Sequence, residues 1–124
     1  MTDPVKNRPV VGKPLWHTGD GETAVLGFLI AEVNSNSINK LVIGFIEEGV
    51  VSVVPPEECW AAEIHEVKCD LRGIICTNPN WGAGVISERF FDSRGQTKIR
   101  VTLPNGGSVT TSLSEVAFCC FGSR

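Results

Sequence analysis

The stretch that decides the fold is Trp81-Gly82-Ala83-Gly84-Val85-Ile86-Ser87-Glu88-Arg89-Phe90-Phe91. Its glycines lead into a long apolar run, which predicts a tight turn followed by a bent β-strand. A similar run, Gly27-Phe28-Leu29-Ile30, begins 57 residues before Gly84 (84 − 27). At about the same offset, residues 40–43 precede 97–100, and residues 49–51 precede 106–109. The repeated order predicts two copies of one small β-unit.

Length and composition limit the possible classes of protein. The chain has 124 residues, of which 42% are hydrophobic and 20% charged, as is typical of a globular protein. Half of this length is near the lower limit for independent folding, so we expect the halves to pack against each other or against another subunit. The apolar run 24–31 is too short to cross a bilayer. Residues 1–13 lack the apolar segment of a signal peptide, which predicts a cytoplasmic location.

The first half contains five segments with strand patterns, because β-branched and large apolar residues fill them and turn residues separate them. These segments are residues 10–16, 23–33, 40–46, 50–54 and 62–68. Pro14 predicts that the first of them lies at a sheet edge. Pro55-Pro56 ends the fourth and predicts one 3₁₀ turn before the fifth. A two-turn amphipathic helix over 57–67 is the alternative.

The second half repeats this order. Its strand patterns cover residues 71–76, 81–91, 98–103, 108–112 and 116–121, and residues 112–115 predict a single turn before the last strand. Five short, bent strands in each half are typical of a small barrel of the SH3 kind. We therefore predict an all-β protein of two tandem, pseudo-duplicated SH3-like barrels. A flexible arm spans residues 1–9, the first barrel 10–68 and the second barrel 71–124.

A family resemblance lies in the second half. The run Asn78-Pro79-Asn80-Trp81-Gly82-Ala83-Gly84-Val85-Ile86 is followed by residues 99–103 and by Gly107. This order resembles the Tudor-like barrels at the C-terminus of UvrD/PcrA-type helicases and in CarD-type transcription regulators. The resemblance covers residues 71–118, and it reaches 10–60 only through the internal repeat. It implies a barrel that docks nucleic acid or the transcription and repair machinery.

The cysteines and histidines indicate neither a metal site nor a catalytic centre. The cysteines are odd in number and lack C-x-x-C spacing: Cys59, Cys69, Cys76, Cys119 and Cys120. A site made from the first three of them and His65 matches no common zinc module, so we expect buried, reduced thiols. Neither histidine has a serine or cysteine in a recognisable nucleophile context. We predict a protein that is not an enzyme and that binds no metal or cofactor.

Four residues form the predicted partner-binding face: Trp81, Arg89, Lys98 and Arg100. Trp81 stands at a strand start as an exposed aromatic, with packing on the barrel rim as the alternative. Lys98 and Arg100 alternate with apolar residues and so share one face, and Arg89 on the neighbouring strand is placed to join them. The alternative for the three cations is an ordinary solvated barrel wall.

The predicted function is a non-enzymatic interaction module that docks a partner through the second barrel. The net charge of −3 disfavours binding to nucleic acid, so a protein partner is predicted ahead of it. No membrane partner is predicted. The alternative is a structural homo-oligomer with a small-molecule pocket between its subunits. Two small barrels with this much apolar sequence favour it, because they leave an unburied face.

Overall fold

The polypeptide folds into two antiparallel β-sheets of five strands each. The computed structural model describes residues 7–19 and 23–122, and within these ranges it contains strands and three single-turn 3₁₀ segments but no α-helix. The predicted all-β class is confirmed. In the described part of the chain each sheet is open, with its first strand between its second and its fifth.

The first sheet has the strand order β4-β3-β2-β1-β5. Its strands are β1 (Pro14–His17), β2 (Val25–Ser35), β3 (Ile38–Phe45), β4 (Val50–Val54) and β5 (Cys59–Ala61). Asn36 and Ser37 join β2 to β3 with positive φ angles of 53° and 65°, the conformation that tight hairpins favour. Gly49, at φ 70°, closes the loop from β3 to β4, where its N–H donates to the carbonyl of Phe45 (2.8 Å).

The second sheet has the strand order β10-β6-β7-β8-β9. Its strands are β6 (Ile74–Asn78), β7 (Gly82–Phe91), β8 (Thr97–Thr102), β9 (Ser108–Ser112) and β10 (Ala117–Phe121). Counted from the first strand of each sheet, this is the order of the first sheet again. In each sheet a 3₁₀ turn joins the fourth strand to the fifth, at Pro56–Glu58 and at Leu113–Glu115. Both turns lie where the sequence predicts them.

Two glycines allow the second and third strands of each sheet to approach closely. A Cβ on Gly27 would lie 2.6 Å from the carbonyl oxygen of Gly44. A Cβ on Gly84 would lie 2.8 Å from the carbonyl oxygen of Thr102 and would overlap the side chain of Val101. Both β2 and β7 are then irregular a few residues later, between Leu29 and Ala31 and between Ile86 and Glu88. Close approach and bulge thus recur at the offset that the sequence indicates.

The fifth strand of the first half is not where the sequence predicts it. Residues 62–68 form no strand; β5 precedes them, and Ile64–Glu66 is a 3₁₀ turn. Local hydrogen bonds stabilise this turn, because the backbone N–H of Glu63 donates to Oε1 of Glu66 (2.8 Å) in a capping box. Oε2 of Glu66 accepts a bond from Nε1 of Trp16 (3.1 Å). The alternative helix over 57–67 is also wrong, since a strand separates the two turns.

The first strand of each half is shifted from its predicted position. β1 begins at Pro14, and the predicted edge position is wrong because β1 pairs with both β2 and β5. Proline is tolerated there as the first residue of a strand, where its missing N–H costs least. β6 covers Ile74–Asn78 rather than residues 71–76. Part of the predicted arm, residues 7–9, is described: Pro9 is buried, and the carbonyl of Asn7 accepts a bond from Ala61 N–H (2.9 Å).

The two halves share one hydrophobic core. Phe28 of β2 is fully buried, and its ring contacts Phe118 and Phe121 of β10 edge-on, at centroid distances of 5.5 and 5.4 Å. The same cluster combines Leu26, Ile46 and Val67 with buried residues of β6, β7, β8 and β10, and Val109 of β9 packs against it. A smaller cluster lies within the first sheet around Leu15, Leu29, Leu41 and Ile43. The expectation that the halves pack against each other is met.

Polar contacts also join the halves. Nζ of Lys13 donates to the carbonyls of Ser114 (3.1 Å) and Val116 (2.9 Å). The carbonyl of Gly12 accepts a bond from the N–H of Phe118 (2.7 Å). The segment before β1 is therefore bonded to the segment that leads into β10.

Candidate interaction surfaces

The outer face of the second sheet carries two of the four predicted site residues. Lys98 and Arg100 lie on it together, since the intervening Ile99 is fully buried on the other face. In the β7–β8 register Phe90 lies opposite Lys98, and Glu88 lies opposite Arg100. Cα partners in an antiparallel pair share a face, so Phe90 and Glu88 belong to this surface.

The charges of this surface are paired within the second sheet. Nη1 of Arg100 donates to Oε2 of Glu88 (2.6 Å), and both side chains are about half exposed. The guanidinium carbon of Arg100 lies 5.9 Å from the centre of the Phe90 ring. Nζ of Lys98 donates to Oγ of Ser112 (2.9 Å). The surface is thus a solvated strip with two cations, one anion and one aromatic ring, which is a modest charge for binding an acidic partner.

Arg89 lies on the opposite face from Lys98 and Arg100. It pairs with Ile99, and its guanidinium donates to the carbonyls of Val67 and Lys68 (2.8 Å for Lys68). The sequence prediction that Arg89 joins the other two cations is therefore wrong. Arg89 instead bonds the segment that connects the two sheets.

Trp81 is half-buried and packs against the shared core. The structure thus shows Trp81 in contact with the core rather than as a fully exposed aromatic. Glu88, the neighbour of Arg100, lies seven residues after Trp81, about 23 Å at about 3.3 Å per residue. Trp81 and the Lys98–Arg100 pair are therefore not parts of one surface.

Phe90 is the aromatic that sequence reasoning missed. Alternation along β7 puts Phe90 and Glu88 on one face and Arg89 on the other, so the sequence contains part of the signal. The register between β7 and β8 decides whether Phe90 or Arg89 lies opposite Lys98. Between the bulge and the turn 92–96, Phe90 lies opposite Lys98. With the register found before the bulge, where Ile86 lies opposite Val101, Arg89 would lie opposite Lys98 instead.

A second surface, on the outer face of the first sheet, is mostly apolar, with Lys40 opposite Val33 on the same face. Its exposed residues are Val33, Ile38, Val51 and Val53, each with 46–61% of its surface accessible to solvent. Val42 links them, since it pairs with Ala31 on one side and with Val53 on the other. The outer face of the second sheet has Lys98, Arg100 and Thr110 in its third and fourth strands. The two outer faces thus differ in polarity although the strand order is the same.

The surroundings of the buried thiols disfavour the thiolate form that a nucleophile needs. Burial, together with the charges of Glu58 and Glu57, raises the pKa of the Cys59 thiol to about 11. Burial, with a smaller contribution from Cys119, raises the pKa of Cys76 to about 12. A catalytic cysteine needs a lowered pKa, so neither group is suited to nucleophilic attack. Among residues 7–19 and 23–122, no three metal-binding side chains are grouped closely enough to hold a metal ion.

These thiols predict the pattern of chemical labelling. At pH 7.5 we expect a maleimide to modify the exposed Cys120 within minutes and to reach Cys59 and Cys76 only as the protein unfolds. Mass spectrometry after a short labelling pulse measures this. Fast labelling of Cys76 in the folded protein would contradict its burial and its raised pKa.

The same shifts predict a loss of stability in alkali. A thiol with a folded pKa above its unfolded value of about 9 stabilises the fold fully below that pH. Its contribution is lost as the pH rises from about 9 toward 11 or 12, at no more than about 1.4 kcal/mol per pH unit for each thiol. Urea unfolding between pH 8 and 11 measures the slope. Cys76→Ala should reduce the slope, and an unchanged slope in this variant would contradict the role given to the Cys76 thiol.

Comparison with known proteins assigns the chain to no family. No protein-family model matches it, and no curated protein has a similar sequence. Within the described residues no helix is long and apolar enough to cross a membrane.

Proposed function

We propose that the protein is a non-enzymatic interaction module made of two SH3-like, Tudor-like barrels. Each sheet has five strands and a single 3₁₀ turn before the fifth, the order that predicted such barrels. The close approaches at Gly27 and Gly84 and the bulges that follow them support an internal duplication. A cytoplasmic location remains part of this proposal.

The proposed docking surface is the strip of Phe90, Lys98 and Arg100. The observation that carries it is the half-exposed Arg100 guanidinium above the Phe90 ring, with Lys98 beside them on the same face. The side chains of Lys98 and Arg100 make their contacts within the second sheet. Arg89 instead donates to the segment that connects the two sheets, and Trp81 packs against the core. Arginine and aromatic side chains are the residue types that dominate binding energy at interfaces. The strip therefore suits an acidic protein segment with apolar side chains.

Nucleic acid fits this surface less well than a protein segment. With two cations, the logarithm of the affinity for a single strand should fall with the logarithm of salt at a slope of about −1.4. The net charge of −3 weakens the attraction further.

The test is a titration of the full chain with three fluorescent probes at two salt concentrations. The probes are a peptide of alternating acidic and aromatic residues, single-stranded DNA and single-stranded RNA. We expect the peptide to bind best, and Lys98→Glu combined with Arg100→Glu to weaken it at least about 10-fold, as loss of a hot spot does. Arg94→Glu, at an exposed turn residue, is the matched control. Equal binding by both variants would refute this docking surface.

A second candidate function is a structural homo-oligomer with a small-molecule pocket between its subunits. The observation that favours it is the apolar outer face of the first sheet, around Val51 and Val53. Contiguous apolar surface of this kind marks contact sites in soluble proteins. Light scattering separates the candidates, since a stable oligomer supports this one and a monomer supports docking alone.

A further inference from the structure

The four sheet edges are protected to different degrees. At β5 the N–H of Ala61 donates to the carbonyl of Asn7, and at β10 the N–H of Phe118 donates to the carbonyl of Gly12. The third edge, β9, is the polar strand Ser108-Val109-Thr110-Thr111-Ser112. The fourth edge, β4, is Val50-Val51-Ser52-Val53-Val54. It has no proline, charge or bulge, the devices that usually prevent an edge from pairing.

The backbone groups of Val51 and Val53 face this free edge. The carbonyl of Phe45 points toward β4, because it accepts the N–H of Gly49, so Phe45 and Val50 form a hydrogen-bonded pair. Such pairs alternate along an antiparallel ladder, which turns Ser52 toward β3 and Val51 and Val53 away from it. Within the described chain no hydrogen bond reaches these outward groups. They form a short template for another strand.

The sequence of β4 is the same read in either direction about Ser52. A two-fold axis at Ser52 would place Val51 opposite Val53 of a second copy, and Val53 opposite Val51. Both are outward-facing residues, so each pair would exchange its N–H and C=O groups. Val51 and Val53 are also 54% and 61% exposed, so the same pairing would bring apolar side chains together across the axis. An isologous dimer needs a self-complementary surface of this kind.

We propose that β4 pairs antiparallel with β4 of a second copy about a two-fold axis at Ser52, which joins two first sheets into one sheet of ten strands. This inference rests on the homo-oligomer candidate and specifies its contact. It is independent of the strip at Lys98 and Arg100, which lies on the other sheet. Acidic residues beyond the two ends of β4, Glu47, Glu48 and Glu57, would approach each other in the dimer, so added salt should strengthen the dimer.

Sedimentation equilibrium of the full chain over a range of concentrations tests the pairing. We expect wild-type protein to form a dimer and Val53→Lys to give a monomer, because a lysine at an edge opposes strand pairing. Val33→Lys is the matched control: it places the same charge on the same outer face, but on β2 and away from the edge. Thr110→Lys at the β9 edge should also leave the dimer intact. Thermal melting checks that each variant is folded.

Cross-linking fixes the register without a destabilising charge. In a Cys120→Ser background, Ser52→Cys should form a disulfide-linked dimer on mild oxidation, because residues on the axis lie about 4.5 Å apart at Cα, within the range that a disulfide bridges. Val50→Cys, which would lie opposite Val54, should not cross-link. A wild-type protein that stays monomeric refutes both the pairing and the homo-oligomer candidate. If Val33→Lys dissociates the dimer, or if Ser52→Cys fails to cross-link it, the β4 pairing is refuted but the homo-oligomer candidate is not. Binding of β4 to a strand of another protein would then replace the proposed pairing.

Discussion

Phe28→Ala should lower the free energy of unfolding by about 3–5 kcal/mol, the usual cost of removing a buried phenylalanine. Phe28 is fully buried, and its ring contacts Phe118 and Phe121 of the other sheet. The loss therefore empties a space between the two sheets. Since the total stability of a small protein is about 5–15 kcal/mol, the variant should keep only a fraction of it.

Urea unfolding measures this loss, and Phe91→Ala is the matched control. Phe91 is 63% exposed, so its truncation should change the stability by less than about 1 kcal/mol. We also expect the amides of both sheets to lose their hydrogen-exchange protection together in Phe28→Ala. If those of the second sheet kept wild-type protection while the first sheet exchanged, the halves would be independent domains and the shared core would be wrong.

Gly84→Ala should destabilise the protein by about 3 kcal/mol through overpacking. The added Cβ would lie 2.8 Å from the carbonyl oxygen of Thr102, a backbone atom that cannot move without disturbing the β7–β8 ladder. The cost should exceed the gain of about 0.4–1 kcal/mol that alanine brings by restricting the unfolded chain.

Gly19→Ala is the control for this substitution. Among residues 7–19 and 23–122 its Cβ would meet only the His17 ring, at 3.9 Å, so the variant should match or slightly exceed the wild type in stability. Gly27→Ala should behave like Gly84→Ala, because its Cβ would lie 2.6 Å from the carbonyl oxygen of Gly44. Equal stability of the Gly84 and Gly19 variants would show that the strands can separate locally, against the role given to Gly84.

Features that depend on a few neighbouring residues were predictable from the sequence. Gly49 and Pro55-Pro56 mark the two ends of β4, since glycine without a Cβ adopts the positive φ of the turn, whereas proline has a fixed φ and no N–H. The repeat at Gly27 and Gly84 was visible because close strand approach requires glycine in both sheets. Residues 62–68 were mispredicted because the side chains of Glu63 and Glu66 satisfy the local backbone, and alternation of apolar residues does not report such bonds.

The candidate site was less predictable because it depends on the register between strands. Lys98 and Arg100 lie two apart on one strand, and their common face followed from the pleat alone. The position of Arg89 depends on a bulge in β7 and on the length of the turn after it, and a shift of one residue reverses the face. The burial of Trp81 depends on side chains from other strands, which composition and spacing do not specify.

The bonds from Gly12 and Lys13 to residues 114–118 have a consequence for synthesis of the chain. These bonds join segments about a hundred positions apart in the sequence. The ring contacts of Phe28 with Phe118 and Phe121 also join residues that are far apart. Contacts of such long sequence separation form slowly. Until β10 is added, Phe28 of the first sheet lacks these partners and exposes apolar surface, and the edge of β4 is also free. Chaperone demand should therefore be greatest in that interval, before the last strand emerges.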